Sequence, residues 1–202
     1  MNWLPKYNYI LASKSPRRQE LIHALGIDFR VEIRDVEENY PAELFREEIP
    51  VFLAELKAKP FLGTLAENDL LITADTIVWL DGQVFGKPAG REDAFSILKK
   101  LSGKEHQVIS GVCLTGMEKQ KSFFSISNVS FRQLSDEEIG YYIDVFKPYD
   151  KAGAYGIQEW IGYIGITHIE GSFYNVMGLP VQQLYKEIIS FESEIITQMT
   201  VF

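Results

Sequence analysis

The 202 residues carry 20 Lys and Arg against 28 Asp and Glu, a net charge of −8, with 46% apolar residues and a single cysteine. That apolar content fills the core of one domain or two small lobes and excludes a disordered chain, while the acidic balance excludes the broad basic field that attracts a nucleic-acid polymer. Cys113 alone closes no intramolecular disulfide, the N-terminus has neither a long apolar run nor a signal pattern, and His23, His106 and His168 lack zinc or haem spacing, so a cytoplasmic protein without a membrane span is expected.

In chain order, Asn8-Tyr9-Ile10-Leu11-Ala12 reads as a short strand leading through Ser13-Lys14-Ser15 into a helix. Ser15 suits the N-cap, Pro16 the first helical position and Gly26 the stop, with Leu21, Ile22 and Leu25 on one face. A second helix is expected over 42–58, carrying Phe45, Phe52, Leu53 and Leu56 and broken or kinked at Pro50. Residues 70–80 form an apolar, β-branched strand, and Asp81-Gly82 before Gln83-Val84-Phe85 predicts a two-residue hairpin. There follow a helix over 91–101 ending at Gly103, strands over 106–115 and 122–132, and a helix opened by a capping box from Ser135 to Glu138. The glycine-rich stretch from Lys151 to Asn175 is expected to mix strand and loop, and a last helix begins at Pro180. No repeat or linker divides the chain, so an α/β fold on a mixed sheet, with two lobes sharing that sheet, is the expectation.

Arg17 and Arg18 stand in the first turn of a helix, where the macrodipole is positive and a cation is disfavoured by about 0.3–1 kcal/mol relative to an anion. Either both are solvated, or backbone N–H groups, the Ser13 and Ser15 hydroxyls and two guanidinium forks hold an anion there. On that account, removing either arginine is neutral or favourable to the helix in the absence of the anion. Asp75-Thr76 interrupt the apolar strand, and a carboxylate buried there needs hydrogen bonds or a cation. The Asp81-Gly82 turn pairs Leu80 with Gln83 and hence Thr76 with Lys87, bringing a cation within one strand spacing of Asp75, with a bulge at Gly86 to aim it. Gly82-x-x-x-Gly86-Lys87-Pro88 is a residue short of a Walker A motif and lacks its Ser or Thr, which argues against a P-loop. Glu38 and Asp75, from separate segments, suit a hard divalent cation that bridges to phosphates, and Lys57 lies near the end of the second helix. In Gly153-Ala154-Tyr155-Gly156-Ile157-Gln158 the glycines permit close backbone approach and Gln158 offers a donor and an acceptor; otherwise the stretch is a tight turn between strands.

Several of these segments are motifs: Leu11-Ala12-Ser13-x-Ser15-Pro16-Arg17-Arg18-x-Glu20-Leu21, Lys57-Ala58, Ala74-Asp75-Thr76, Gly86-Lys87-Pro88, Lys151-Ala152-Gly153-x-Tyr155-Gly156-Ile157-Gln158 and Asn175-Val176-x-Gly178-Leu179-Pro180. In this order they resemble the Maf family of nucleoside triphosphate pyrophosphatases. The resemblance implies one domain over 1–202 with the Maf and inosine-triphosphatase-like fold, a long curved mixed sheet flanked by helices, with two lobes and a central cleft. It further implies Asp75 as catalytic base, Ser13, Arg17, Arg18, Lys57 and Lys87 on the phosphates, and Glu38 with Asp75 on Mg²⁺ or Mn²⁺. Water would attack the α-phosphorus in line and pyrophosphate would leave. Arg17, Thr76 and Gln158 match the subtype acting on dTTP and UTP, whereas the 7-methyl-GTP subtype carries an aromatic residue, Gln and Glu there. A pyrophosphatase of 7-methyl-GTP or other modified nucleotides is one alternative, and a nucleotide-binding regulator of septum formation in cell division is another. The family usually places Gly after the glutamine where this chain has Glu159-Trp160, which implies a reshaped base pocket. The partners implied are the nucleotide and, where the chain pairs, a second copy in a homodimer.

Overall fold

The computed structural model describes residues 4–199, with side chains through Phe191. Strand β1 (Asn8–Leu11) turns into helix α1 (Pro16–Ala24), capped by Ser15 and stopped before Gly26, which takes φ 72°. Strand β2 (Phe29–Val31) is followed by a long irregular loop and helix α2 (Glu48–Ala58). The helix expected from residue 42 thus starts six residues later, at Glu48. Pro50 then falls in its first turn, where a missing N–H costs no intrahelical bond, and no break occurs.

Strand β3 (Asp69–Leu80) and strand β4 (Gln83–Phe85) form the expected hairpin, with Leu80 opposite Gln83. Asp81 at φ 51° and Gly82 at φ 80° both occupy the left-handed region that a type I′ turn requires. Helix α3 (Arg91–Leu101), strands β5 (Glu105–Thr115) and β6 (Gln120–Phe131), and helix α4 (Asp136–Phe146) with its Ser135–Glu138 capping box follow as the sequence indicates. The glycine-rich stretch is more helical than expected. It holds a 3₁₀ turn at Ala152–Ala154, helix α5 (Trp160–Gly165), strand β7 (Ile166–Glu170) and helix α6 (Phe173–Val176), before helix α7 (Val181–Met199).

The strands hydrogen-bond in the order β2-β1-β3-β5-β6-β7, with β4 on β3. β1 runs parallel to β2 and β3, whereas β4 and β7 are antiparallel to their partners, so the sheet is mixed and helices flank it. None of the described helices is long and apolar enough to cross a membrane.

The chain forms two compact units. The first comprises Met1–Asp75, Ser110–Ser125 and Gly178–Phe202, and includes a core of Ile10, Ala54, Ala58, Phe61, Leu65, Leu71 and Cys113. The second comprises Thr76–Ile109 and Ile126–Met177, with α3, α4 and the 151–161 segment packed around residues such as Leu98, Val129, Ile139 and Tyr142.

Within the second core His106 lies edge-on to Phe131 and Tyr155, and its Nε2 is 2.8 Å from the Tyr155 hydroxyl. Burial pushes the His106 pKa down from 6.5 to about 4. Between these values the unfolded chain binds a proton that the folded chain refuses. Stability is therefore complete above pH 6.5 and falls as the pH drops toward 4, by roughly 3 kcal/mol at the limit. Urea unfolding across this range should show that slope in the wild type and a flatter one in His106→Gln. Equal slopes would remove His106 as its source.

Candidate active site

The first unit gathers six of the nine residues singled out by the sequence: Ser13, Arg17, Arg18, Glu38, Lys57 and Asp75. Where β1 ends, Ser13 Oγ accepts from the Ser15 N–H at 3.2 Å, and Ser15 Oγ accepts from the Arg18 N–H at 3.4 Å. Each hydroxyl keeps its own proton as a donor. No acidic residue lies in the first turn of α1 to satisfy the positive end of its dipole.

Arg18 turns back from that turn. Its Nε donates to the Gly178 carbonyl at 2.9 Å and its Nη1 to the Ala74 carbonyl at 2.8 Å, so it ties α1 to the strand at the residue before Asp75 and to the chain entering α7. Burial lowers its pKa from the ordinary guanidinium value; Asp75 and Glu38 oppose that shift, and Arg17 adds to it. The four charges share one field.

The cation beside Asp75 is Lys57. Its Nζ lies 2.6 Å from Asp75 Oδ1 and 3.2 Å from Glu38 Oε2, with side-chain exposures of 15% for Lys57, 13% for Asp75 and 51% for Glu38. Two contacts made by other residues set this clamp. Thr73, fully buried, donates from Oγ1 to the Ala54 carbonyl at 2.7 Å. Thr73 and Asp75 lie on one face of the strand, while Ala54 and Lys57 are three residues apart on the helix, so one bond aligns the two charged side chains. At Gly111 of β5, an added Cβ would lie 2.3 Å from the backbone of Pro50 and Val51, so only glycine lets the first turn of α2 sit this close. Sequence reasoning missed both Thr73 and Gly111. Thr73 could have been noticed as a polar residue at the parity of Asp75 in an apolar strand, whereas Gly111 carries no local signal.

In the second unit, the β3–β4 ladder ends at Val78 opposite Phe85. The expected pairing of Thr76 with Lys87 is therefore not formed: the chain leaves the ladder after Phe85, and Lys87 is exposed. The Gly86 carbonyl instead accepts from the Gly153 N–H at 3.1 Å. Gly153, at φ 69°, packs against Val78 where a Cβ would lie 2.6 Å from its side chain.

This seats the segment that presents Gln158. The residue lines a groove of about 260 Å³ with Ile157, Gly162, Tyr163, Ile169 and Phe173, and its Oε1 is buried without a hydrogen-bond partner among the described residues. An amide oxygen buried without a partner is an unmet acceptor. Glu159, which was expected to reshape a base pocket, directs its carboxylate elsewhere: it pairs with Lys151 at 3.0 Å and accepts a short hydrogen bond from the Tyr142 hydroxyl.

Residues 8–191 match the family model described as Maf-like protein. The chain is 59% identical over 186 residues to the dTTP/UTP pyrophosphatase of Bacteroides thetaiotaomicron, covering 92% of this chain and 96% of that protein. To the dTTP/UTP pyrophosphatase of Parabacteroides distasonis it is 56% identical over 189 residues, covering 93% and 98%. Among solved structures, that of the Staphylococcus aureus Ham1 protein aligns with a TM-score of 0.51 at 19% identity over 89% of this chain and 99% of that one, a likeness of fold alone.

The ties of Arg18 reverse the expectation drawn from the helix dipole. Arg18→Ala strands the buried carbonyls of Ala74 and Gly178, and should cost about 1–3 kcal/mol of stability without any nucleotide present. Denaturant unfolding of the two proteins measures it; an unchanged midpoint would return Arg18 to the solvated class.

Proposed function

The chain belongs to the Maf family, and we propose that it hydrolyses dTTP and UTP to the nucleoside monophosphate and pyrophosphate. Relatives bearing that name over nearly their whole length support the reading. The structural observation that carries it is the ammonium of Lys57 held between the carboxylates of Glu38 and Asp75, in the same field as two arginines at a helix N-terminus.

The acid and base roles follow from that clamp. Lys57 holds one oxygen of Asp75 at 2.6 Å, leaving the other as a base for the attacking water. Arg17, the Ser13 hydroxyl, the N–H groups of the first turn of α1, and Lys87 are the donors for the triphosphate, with Arg18 holding the strand end in place beside them. Phosphoryl transfer asks little covalent chemistry of a protein, so positioning and charge compensation are the main contributions.

A pair of carboxylates that closes on one positive charge is a donor set that fits a hard divalent ion such as Mg²⁺ or Mn²⁺. Among the described residues no group of three His, Cys, Asp or Glu could hold a metal ion by itself. Glu38 and Asp75 would hold the ion, and it would shield the triphosphate and lower the pKa of bound water.

We assign the base to Gln158. Its unpartnered Oε1 accepts from the ring N–H of thymine or uracil, its amide donates to a neighbouring carbonyl, and Thr76 accompanies it as the second residue matching the pyrimidine subtype.

Two outcomes are expected. Asp75→Asn, nearly isosteric, should fold and lose at least ~10²-fold in kcat with Mg²⁺ or Mn²⁺; near-normal turnover would take the base role from Asp75. Release of pyrophosphate from a nucleotide panel should favour dTTP and UTP over CTP, GTP and 7-methyl-GTP by roughly 5- to 150-fold in kcat/KM, and Gln158→Glu should erode that margin. A wild-type preference for 7-methyl-GTP would overturn the pyrimidine assignment and leave the pyrophosphatase chemistry standing.

A further inference from the structure

Gln158 is one residue from a buried polar knot. The Tyr142 hydroxyl, on α4, donates to Glu159 Oε2 and accepts from the Gly156 N–H at 3.0 Å. The Glu159 carboxylate also pairs at 3.0 Å with Lys151, whose side chain is only 9% exposed. Backbone bonds close the same turn: the Glu159 N–H donates to the Gly156 carbonyl at 3.0 Å, and the Glu159 carbonyl accepts from Gly162 at 2.9 Å. The turn from Gly156 to Glu159, which carries Gln158 as its third residue, is thus fastened at both ends to one phenol and one carboxylate.

The glycine is fitted to this arrangement. A Cβ at Gly156 would come within 2.8–3.1 Å of the Glu159 carboxylate atoms, so the ion pair reaches its place only because residue 156 has no side chain. Replacing a buried ion pair with apolar groups is often neutral or stabilising, so stability alone does not account for this one. What a fully bonded polar knot does supply is a single backbone arrangement.

We propose that Tyr142, Lys151 and Glu159 are positioning residues for base selection, holding the 156–159 turn so that the Gln158 amide meets the pyrimidine edge in one orientation. The inference rests on the reading of Gln158 given above. Glu159 then serves the pocket from behind instead of contacting the base.

The test uses the full chain and four variants, Tyr142→Phe, Glu159→Gln, Gln158→Ala and Tyr142→Phe/Gln158→Ala, assayed with dTTP and CTP. Tyr142→Phe deletes one oxygen and keeps the ring in the core, so it should stay folded, and a thermal melt checks this. Loosening the turn should raise KM for dTTP about tenfold and narrow the dTTP-to-CTP ratio by a similar factor, with kcat held within about twofold. Glu159→Gln, which retains the hydrogen-bond geometry, should fall between wild type and Tyr142→Phe. In the Gln158→Ala background, Tyr142→Phe should add nothing further, because the two act through one contact. If Gln158→Ala alone keeps the dTTP preference, the reading of Gln158 fails and this proposal with it. If Gln158→Ala loses the preference while Tyr142→Phe retains it, or Tyr142→Phe weakens both nucleotides equally, the positioning role is overturned and the reading of Gln158 survives.

Discussion

A carboxylate in the interior of an apolar strand has to be compensated, and much of the first unit can be understood as the answer to that requirement at Asp75. A charge on this largely buried side chain carries a desolvation cost that a partner has to offset. The compensating ammonium comes from α2, so that helix must lie close to β3 and β5, and close approach at its first turn demands a residue without a side chain at Gly111. Thr73 then fixes the helix along the strand by donating to Ala54. Lys57 is also in the last turn of α2, where the negative end of the dipole favours a cation. Charge, packing and backbone geometry thus agree on one position for one ammonium.

A second consequence concerns substrates. The protein carries a net charge of −8, yet the substrate proposed for it is a polyanion. The resolution is local: cations are concentrated where β1 meets α1 and at the end of α2, and Arg18 is fixed there by main-chain carbonyls. Two of its donors go to those carbonyls, which fixes the Arg18 guanidinium in the field shared with Asp75 and Glu38. Lys57 differs: its charge is already balanced by two carboxylates, with which the proposed triphosphate would compete.

Most of the fold was legible because its signals are local. The Ser15 cap with Pro16 and Gly26, the Asp81-Gly82 turn and the Ser135 capping box each fix a boundary within a few residues, and each formed as read. The failures share a cause in longer-range context. Pro50 was read as a break because its place in the helix depends on where α2 starts, which Glu48, accepting from the Phe45 N–H at 2.8 Å, decides. Lys87 was extrapolated along a ladder that stops at Phe85, where Gly86 turns to meet Gly153. The stretch after Lys151 conceals short helices because glycine weakens propensity without forbidding the conformation once His106 and Tyr142 anchor Tyr155 and Gly156 near its start. The carboxylate and cation candidates of the first unit could be recognised as chemical oddities; which cation meets Asp75 is a property of helix placement and could not be.

The seat of α2 on Gly111 also makes the helix a lever. Its pivot lies at Pro50 and Val51, and the working end is Lys57, about 10 Å further along at 1.5 Å per residue. A tilt of roughly 6° at the pivot swings the ammonium by about 1 Å, a displacement on the scale that separates productive from unproductive alignment of reacting groups. A glycine in β5 that touches no charge is therefore a gauge for the tolerance of the clamp, and drift at that position would be felt as misalignment at Lys57 before it was felt as a loss of fold.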